Sequence, residues 1–352
     1  MNDTVPARQP AQRGAWLAVL AATLFGISTP LVQRAGTGLG PFMTAALLYA
    51  GAALLGALLR RAPEREAQVR RTDLPRLLAM AAFGAVAGPV ALAWGLQHTS
   101  GTSASLMLSL EALFTALLAR VLYGESMDRR VRFAMALLLA GGIVLVLDRS
   151  SAGQTQIAGL LAVLLATAAW GIDNTLSRAL AERDPAQVVL VKAALGAPAA
   201  LLLALAWGEA MPRAPQALAL LLIGASGYGL SLRLYLLAQR AFGAARTGSV
   251  FAFAPFIGAL VAAALGEGAL DWGTAAGGVV MLAGVVLHLR ERHEHAHVHE
   301  ALVHEHAHRH DDGHHDHVHD VPPAGEHSHL HRHEPTQHSH PHVPDAHHTH
   351  RH

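Results

Sequence analysis

The sequence predicts an all-α integral membrane protein, built from ten transmembrane helices arranged as two inverted five-helix repeats and followed by a disordered cytoplasmic tail. Three observations predict it. Charged residues make up only 14% of the 352 positions and hydrophobic ones 52%, against about 25% charged in an ordinary soluble domain. Ten apolar segments are each long enough to cross a bilayer. The second half of those segments repeats the pattern of the first.

A helix needs about 20 mostly apolar residues to span the hydrocarbon core. Segments 14–33, 41–59, 75–96, 102–123, 131–148, 157–178, 187–207, 215–239, 247–266 and 272–289 meet that length. The first is long enough to span and lacks a clear small-residue cleavage site, so no cleavable signal peptide is expected. A short N-terminal segment, 1–13, precedes the first repeat, 14–148. The second repeat covers 156–289 and the tail 290–352.

An even span count puts both ends on one side, and arginine placement selects the side. With the ends in the cytoplasm, seventeen arginines fall on inner segments and only Arg34, Arg149 and Arg213 on outer loops. Both termini are therefore expected in the cytoplasm of a cell with a bacterial-type inner membrane. Trp207 and Trp272 then sit near the outer surface and Trp16 near the inner one, as an aromatic belt requires.

Gln97, Gly101, Ala112, Phe114, Leu118, Gly124, Glu125, Gly142, Val144 and Leu147 recur 142 residues later as Gln239, Gly243, Ala254, Phe256, Leu260, Gly266, Glu267, Gly284, Val286 and Leu289. LAVLAATLFGI (17–27) echoes LAVLLATAAWGI (161–172), and Pro41 and Pro185 open the second and seventh spans. Five spans per half is an odd number, so the second copy enters from the opposite side. Inverted repeats are a device of secondary transporters, with substrate held near the midplane between the halves. The same duplication also serves inert scaffolds and channels.

With these motifs the chain resembles the drug/metabolite transporter superfamily, specifically the EamA-type permeases, over residues 14–289. The resemblance rests on the ten-span inverted repeat and the Phe/Trp-Gly step in spans 1 and 6. It also rests on the Gly-Glu endings of spans 4 and 9 and the PFIGALVAAALGE stretch from Pro255 to Glu267. It implies a cavity lined by spans 1–4 and 6–9, spans 5 and 10 at the periphery, and transport without ATP. It implies no particular substrate. Two departures stand out: Leu113 occupies the place of the proline common in span 4, and the polyhistidine tail is not general to the family.

A charge at the middle of a membrane helix costs about 2.5–3.5 kcal/mol on insertion scales, so it is a functional candidate by default. Glu111 lies nine or more residues from either end of span 4, too deep to reach water. A carboxyl that can switch protonation inside a pathway suits proton coupling; it equally suits cation ligation or a structural hydrogen bond. Asp173 and Asn174 follow Trp170 in span 6, Lys192 is the only lysine of the chain, and Arg233 lies at similar depth in span 8. These residues read either as a neutralising ion pair that orders the bundle or as a site for a charged solute. Trp170 suits stacking on a solute or plain packing. Tyr49, Tyr228, Tyr235, Gln97 and Gln239 are weaker candidates.

The tail holds 23 of the 25 histidines. With few apolar residues it cannot build a core. His293, His295, His297, His299, His304, His306, His308, His310, His314, His315, His317 and His319 form a candidate set of metal ligands. Neutral imidazole suits nickel, zinc and cobalt, and the interleaved acids add oxygen ligands. No cofactor is otherwise required. Cysteine is absent, which excludes disulfides and thiolate sites. A net charge of +1 offers no basic surplus for nucleic acid. The partners expected are the lipid bilayer, a small-molecule or metal-ion substrate and, as a homodimer, a second copy of the chain.

The leading function is a secondary active carrier of a small solute such as an amino acid or metabolite. The alternatives are a divalent transition-metal transporter and a membrane-anchored metal buffer or sensor. The core's only histidines, His98 and His288, lie near opposite surfaces, which argues against a dedicated metal path. No phosphate loop, zinc-protease motif or nucleophile elbow points to an enzyme.

Two tests follow from the sequence. Reporter fusions after residues 150 and 210 should read periplasmic, and fusions after 65, 183 and 300 cytoplasmic; a periplasmic tail would overturn the span count. The isolated tail peptide should bind several nickel or zinc ions at neutral pH. Binding should weaken towards pH 5, because imidazole protonates near about 6.5 and imidazolium cannot ligate a metal. Titration calorimetry of the peptide at both pH values reads this directly.

Overall fold

A computed structural model of the chain describes residues 8–60, 67–123, 127, 129–150, 154–180, 183–242, 244–268 and 271–289, with four tail segments at 293–299, 302–308, 327–333 and 336–342. Among these residues nine helices are long and apolar enough to cross a membrane. They are α1 (Arg13–Ala35), α2 (Pro41–Leu58), α3 (Arg71–Leu96), α4 (Gly101–Leu122), α5 (Arg129–Asp148), α6 (Gln154–Ser177), α7 (Pro185–Ala206), α8 (Ala214–Gln239) and α9 (Thr247–Ala264). A shorter apolar helix, α10 (Trp272–Leu287), supplies the tenth expected span. Each falls within a few residues of its place in the sequence reading, because hydropathy sets length in a bilayer.

The repeats pack as an inverted pair. α1 lies against α8 and α9, and in the same way α6 lies against α3 and α4. Three contacts join equivalent helices across the pseudo-twofold: α2 with α7, α4 with α9, and α5 with α10. Large side chains such as Leu58, Val121 and Leu202 face outward, while the interior is dominated by alanine and other small residues. Lipid is as apolar as leucine, so the bundle gains by close backbone approach rather than by hiding hydrophobic surface.

The closest such approach crosses the two halves. A Cβ added to Gly51 of α2 would run into the Leu221 carbonyl of α8, and one added to Gly224 of α8 would run into the Leu48 carbonyl of α2. Beside this crossing, α8 widens into a π-helix over Gly224–Leu230. α3 does the same over Ala81–Ala87, 143 positions earlier. Both segments, AAFGAVA and GASGYGL, are built mostly of small residues. π-turns of this kind are frequent at functional sites. α4 is interrupted by a 3-10 turn at Leu108–Leu110 immediately before Glu111. Its counterpart α9 breaks between Phe251 and Ala254, so the break in α4 forms although Leu113 replaces proline.

The end of the bundle away from the termini is held by two matched turns. After α7, Gly208 (φ 66°) closes a Schellman motif in which Glu209 N–H bonds the Ala204 carbonyl and Gly208 N–H the Leu205 carbonyl. After α9, Gly266 (φ 79°) does the same, with Glu267 N–H on Ala262 and Gly266 N–H on Ala263. A left-handed residue ends the helix in each case, which glycine adopts without a Cβ penalty. The glutamate that follows is thereby aimed at the other half. The Glu209 carboxylate accepts from Phe42 N (3.2 Å) and Met43 N (2.7 Å) at the N-terminus of α2, where the helix dipole favours a negative charge. Glu267 pairs with Arg34 Nε at 2.5 Å. At the opposite end, Arg183 pairs with Asp73 at 3.0 Å, and the Gln187 side chain accepts from Val69 N at 2.8 Å.

In the tail, the backbone pairs His293–His299 with Thr336–His342 and Leu302–His308 with His327–His333, both antiparallel. The sequence predicts no core there, and the composition of these strands provides no apolar face to bury. A two-stranded pair alone is marginal in water.

Gly51→Leu should overpack the α2–α8 crossing, at a cost of about 1–3 kcal/mol or more. Melting followed by fluorescence-detected gel filtration should show a lower midpoint, whereas the lipid-facing control Leu58→Ala should melt with the parent protein.

Candidate functional site

One cavity lies between the two halves. Its wall comprises Phe25 of α1, Tyr49 of α2, Glu111 of α4, Trp170, Asp173 and Asn174 of α6, Lys192 of α7, Gly227, Tyr228, Ser231, Leu232 and Tyr235 of α8, and Phe251 of α9. The space between these residues is about 510 Å³, open solvent at its mouth included. α5 and α10 contribute nothing to the wall, in keeping with the peripheral place the family resemblance assigns them. α3 stands behind the wall and acts through its backbone.

Five of the six core residues singled out by sequence meet here. Lys192 Nζ donates to Asp173 Oδ2 in a buried ion pair. Asn174 Nδ2 donates to Glu111 Oε1, tying α6 to α4. Trp170 Nε1 donates to the Gly84 carbonyl at 3.0 Å, and the Tyr49 hydroxyl donates to the same oxygen. Gly84 lies in the π-segment of α3, so the widened turn presents one carbonyl to two side chains. A Cβ at Gly84 would strike the Asp173 carboxylate, so glycine is required for α6 to approach this closely. The sixth residue, Arg233, is half-buried and is not part of the wall.

The aromatic residues interlock. Phe25 meets Trp170 edge-on (centroids 5.8 Å apart, planes at 77°) and Tyr228 likewise (6.0 Å, 65°). It also meets Phe251 at 5.4 Å, and Tyr235 closes on Phe251 at 5.0 Å. Such edge-to-face pairs fix ring positions beyond simple area burial. Phe25, Leu232 and Phe251 escape a sequence reading that weighs polar residues, because apolar side chains in a membrane carry no signal. The repeat itself could have found Phe25, which precedes Gly26 as Trp170 precedes Gly171. Of the weaker candidates, Tyr49, Tyr228 and Tyr235 line the cavity. Gln97 instead donates to the Leu39 carbonyl at 2.9 Å, in a loop connection.

Among the described residues no group of three or more His, Cys, Asp or Glu is placed to hold a metal ion. Of the tail histidines, His310, His314, His315, His317 and His319 lie outside the described residues; for His293, His295, His297, His299, His304, His306 and His308 only the backbone is described.

The chain is similar to known transporters over nearly all of its bundle. It is 26% identical over 294 residues to an uncharacterized transporter of Methanothermobacter thermautotrophicus, covering 77% of this chain and 85% of that protein. It is 27% identical over 173 residues to a probable terminal-alkyne amino-acid exporter of Streptantibioticus cattleyicolor, covering 49% of this chain and 57% of that one. A crystal structure at 18% identity superposes with a TM-score of 0.58, covering 80% of this chain and 97% of that one, which establishes the fold alone. The model of the EamA-like transporter family matches twice, at residues 12–147 and 157–290. With both five-helix halves matched, the chain belongs to the EamA-like transporter family.

Proposed function

We propose that the protein is a secondary carrier that moves a small organic solute, of amino-acid or metabolite size, across a bacterial-type inner membrane by alternating access between its two repeats. The observation that carries this reading is the gathering of Glu111, Asp173 and Lys192, from both repeats, around one cavity in the middle of the bundle. Buried charge is costly in a membrane and is kept where a pathway needs it. The end away from the termini is tied by Arg34–Glu267 and by Glu209. The wall runs from Glu111 at mid-span towards Asp173, Tyr235 and Phe251 nearer the other end. With the termini in the cytoplasm, this arrangement suits a cavity loaded from the cytoplasm. The name of the Streptantibioticus relative favours an amino-acid-like solute.

Glu111 is the proposed proton-coupling group, because its carboxylate is held by a neutral donor, Asn174. The Asp173–Lys192 pair is the proposed electrostatic anchor of the site. The metal-transport reading draws no support from the cavity. Metal binding by the tail remains a proposal of its own, favoured by a backbone register that sets His293 opposite His342, His295 opposite His340 and His297 opposite His338. Neighbours across an antiparallel pair have Cβ atoms about 4.5–5.5 Å apart, a spacing two imidazoles can bridge through one ion.

The reading is tested by uptake into proteoliposomes of a panel of amino acids and divalent metals, with and without a pH gradient. Amino-acid uptake should respond to the gradient and metal uptake should be absent. Glu111→Gln should insert and melt normally yet lose gradient-driven uptake by at least about tenfold, the scale of one hydrogen bond to a charged group. Normal uptake with unchanged pH dependence would make Glu111 structural.

A further inference from the structure

Resting on the carrier reading, we propose that the cavity recognises the ammonium group of its solute, seated between Glu111 and Asp173, with an apolar or aromatic body against Phe25 and Phe251. A carboxylate on the solute is not the recognised group.

The charges of the wall favour this. Glu111 and Asp173 are acidic, and among the described residues of the lining Lys192 is the only basic one. Lys192 is 3% exposed and already engaged by Asp173 Oδ2. Its charge is already balanced by Asp173, so an incoming carboxylate would bury a further anion beside a single lysine. An incoming ammonium meets the opposite situation. Among the described residues, Asp173 Oδ1 is buried without any hydrogen-bond partner. An ionised carboxylate only accepts, and a buried acceptor without a donor costs free energy that a donor recovers. Glu111 receives its hydrogen bond from an amide, so its negative charge, when present, is not cancelled by that partner. A primary ammonium brings three donors and one positive charge, which answers both shortages together.

The rings favour the same ligand. Aromatic faces attract ammonium groups within about 6 Å of the centroid, and Lys192 Nζ already lies 5.9 Å from the centre of the Tyr49 ring. The cluster of Phe25, Trp170, Tyr228 and Phe251 then supplies an apolar surface for the rest of the solute.

The test is equilibrium binding to the purified full-length chain, by titration calorimetry at neutral pH, with phenylalanine, phenylethylamine, N-acetylphenylalanine and 3-phenylpropionate as probes. Phenylethylamine and phenylalanine should bind within about tenfold of each other. The two probes without an ammonium should bind at least about tenfold more weakly, the value of one hydrogen bond to a charged group. Glu111→Gln should weaken amine binding by a similar factor at an unchanged melting temperature. If 3-phenylpropionate or N-acetylphenylalanine binds as tightly as phenylethylamine, or if neither amine binds at millimolar concentration, the proposal is wrong. The wild-type series decides this even should the variant fail to fold. Solute counterflow in proteoliposomes keeps the two readings apart. Amine binding without transport leaves the ammonium site and removes the carrier. Transport of 3-phenylpropionate leaves the carrier and removes the ammonium site.

Discussion

The ion pair between Lys192 and Asp173 governs the middle of this bundle. Two opposite charges lie together with both side chains buried, and breaking such a pair by removing one partner leaves an uncompensated buried charge, at a typical cost of about 3–5 kcal/mol. The surrounding structure is arranged to keep it. Position 84 must be glycine for the carboxylate to lie against α3. The π-turn that contains Gly84 turns a carbonyl towards Tyr49 and Trp170, whose rings belong to the same wall as the pair. α2, α3, α6 and α7 thus meet at one charged centre, and the cavity opens beside it because the charges hold those helices in place.

Much of this was legible in the sequence, for a physical reason that applies to one class of residue. In a membrane interior a polar side chain is conspicuous, so Glu111, Asp173, Asn174, Lys192 and Trp170 stood out and proved to be neighbours. Depth alone does not give helix face. Tyr228, Ser231, Leu232 and Tyr235 follow the three-to-four spacing of one helical stripe and line the cavity. Arg233 lies off that stripe, at the expected depth but on another face. Phe25 and Phe251 were silent because apolar residues are the background. The Gly84 carbonyl was silent because a backbone acceptor has no letter in the sequence.

The repeat is most exact where backbone geometry is at stake. The two π-segments and the interruptions of α4 and α9 occur in equivalent places. The two Schellman turns come from helices that are not equivalent, α7 and α9, yet both deliver a glutamate across the junction of the halves. Shape is therefore inherited from duplication, and so is the Gly-Glu step after α9, which matches Gly124-Glu125; the glutamate after α7 has no counterpart after α2, where Leu59 and Arg60 follow.

The charges of the cavity break that symmetry. Ser28 stands in the first repeat where Asp173 stands in the second, and Phe253 stands in the second where Glu111 stands in the first. Two identical halves would have placed four carboxylates around one small void, where like charges cannot all stay ionised. A frame present twice thus carries its ionisable set once. On the proposed carrier reading, that single copy makes one charged seat per polypeptide, so occupancy and turnover would be counted per chain and not per repeat.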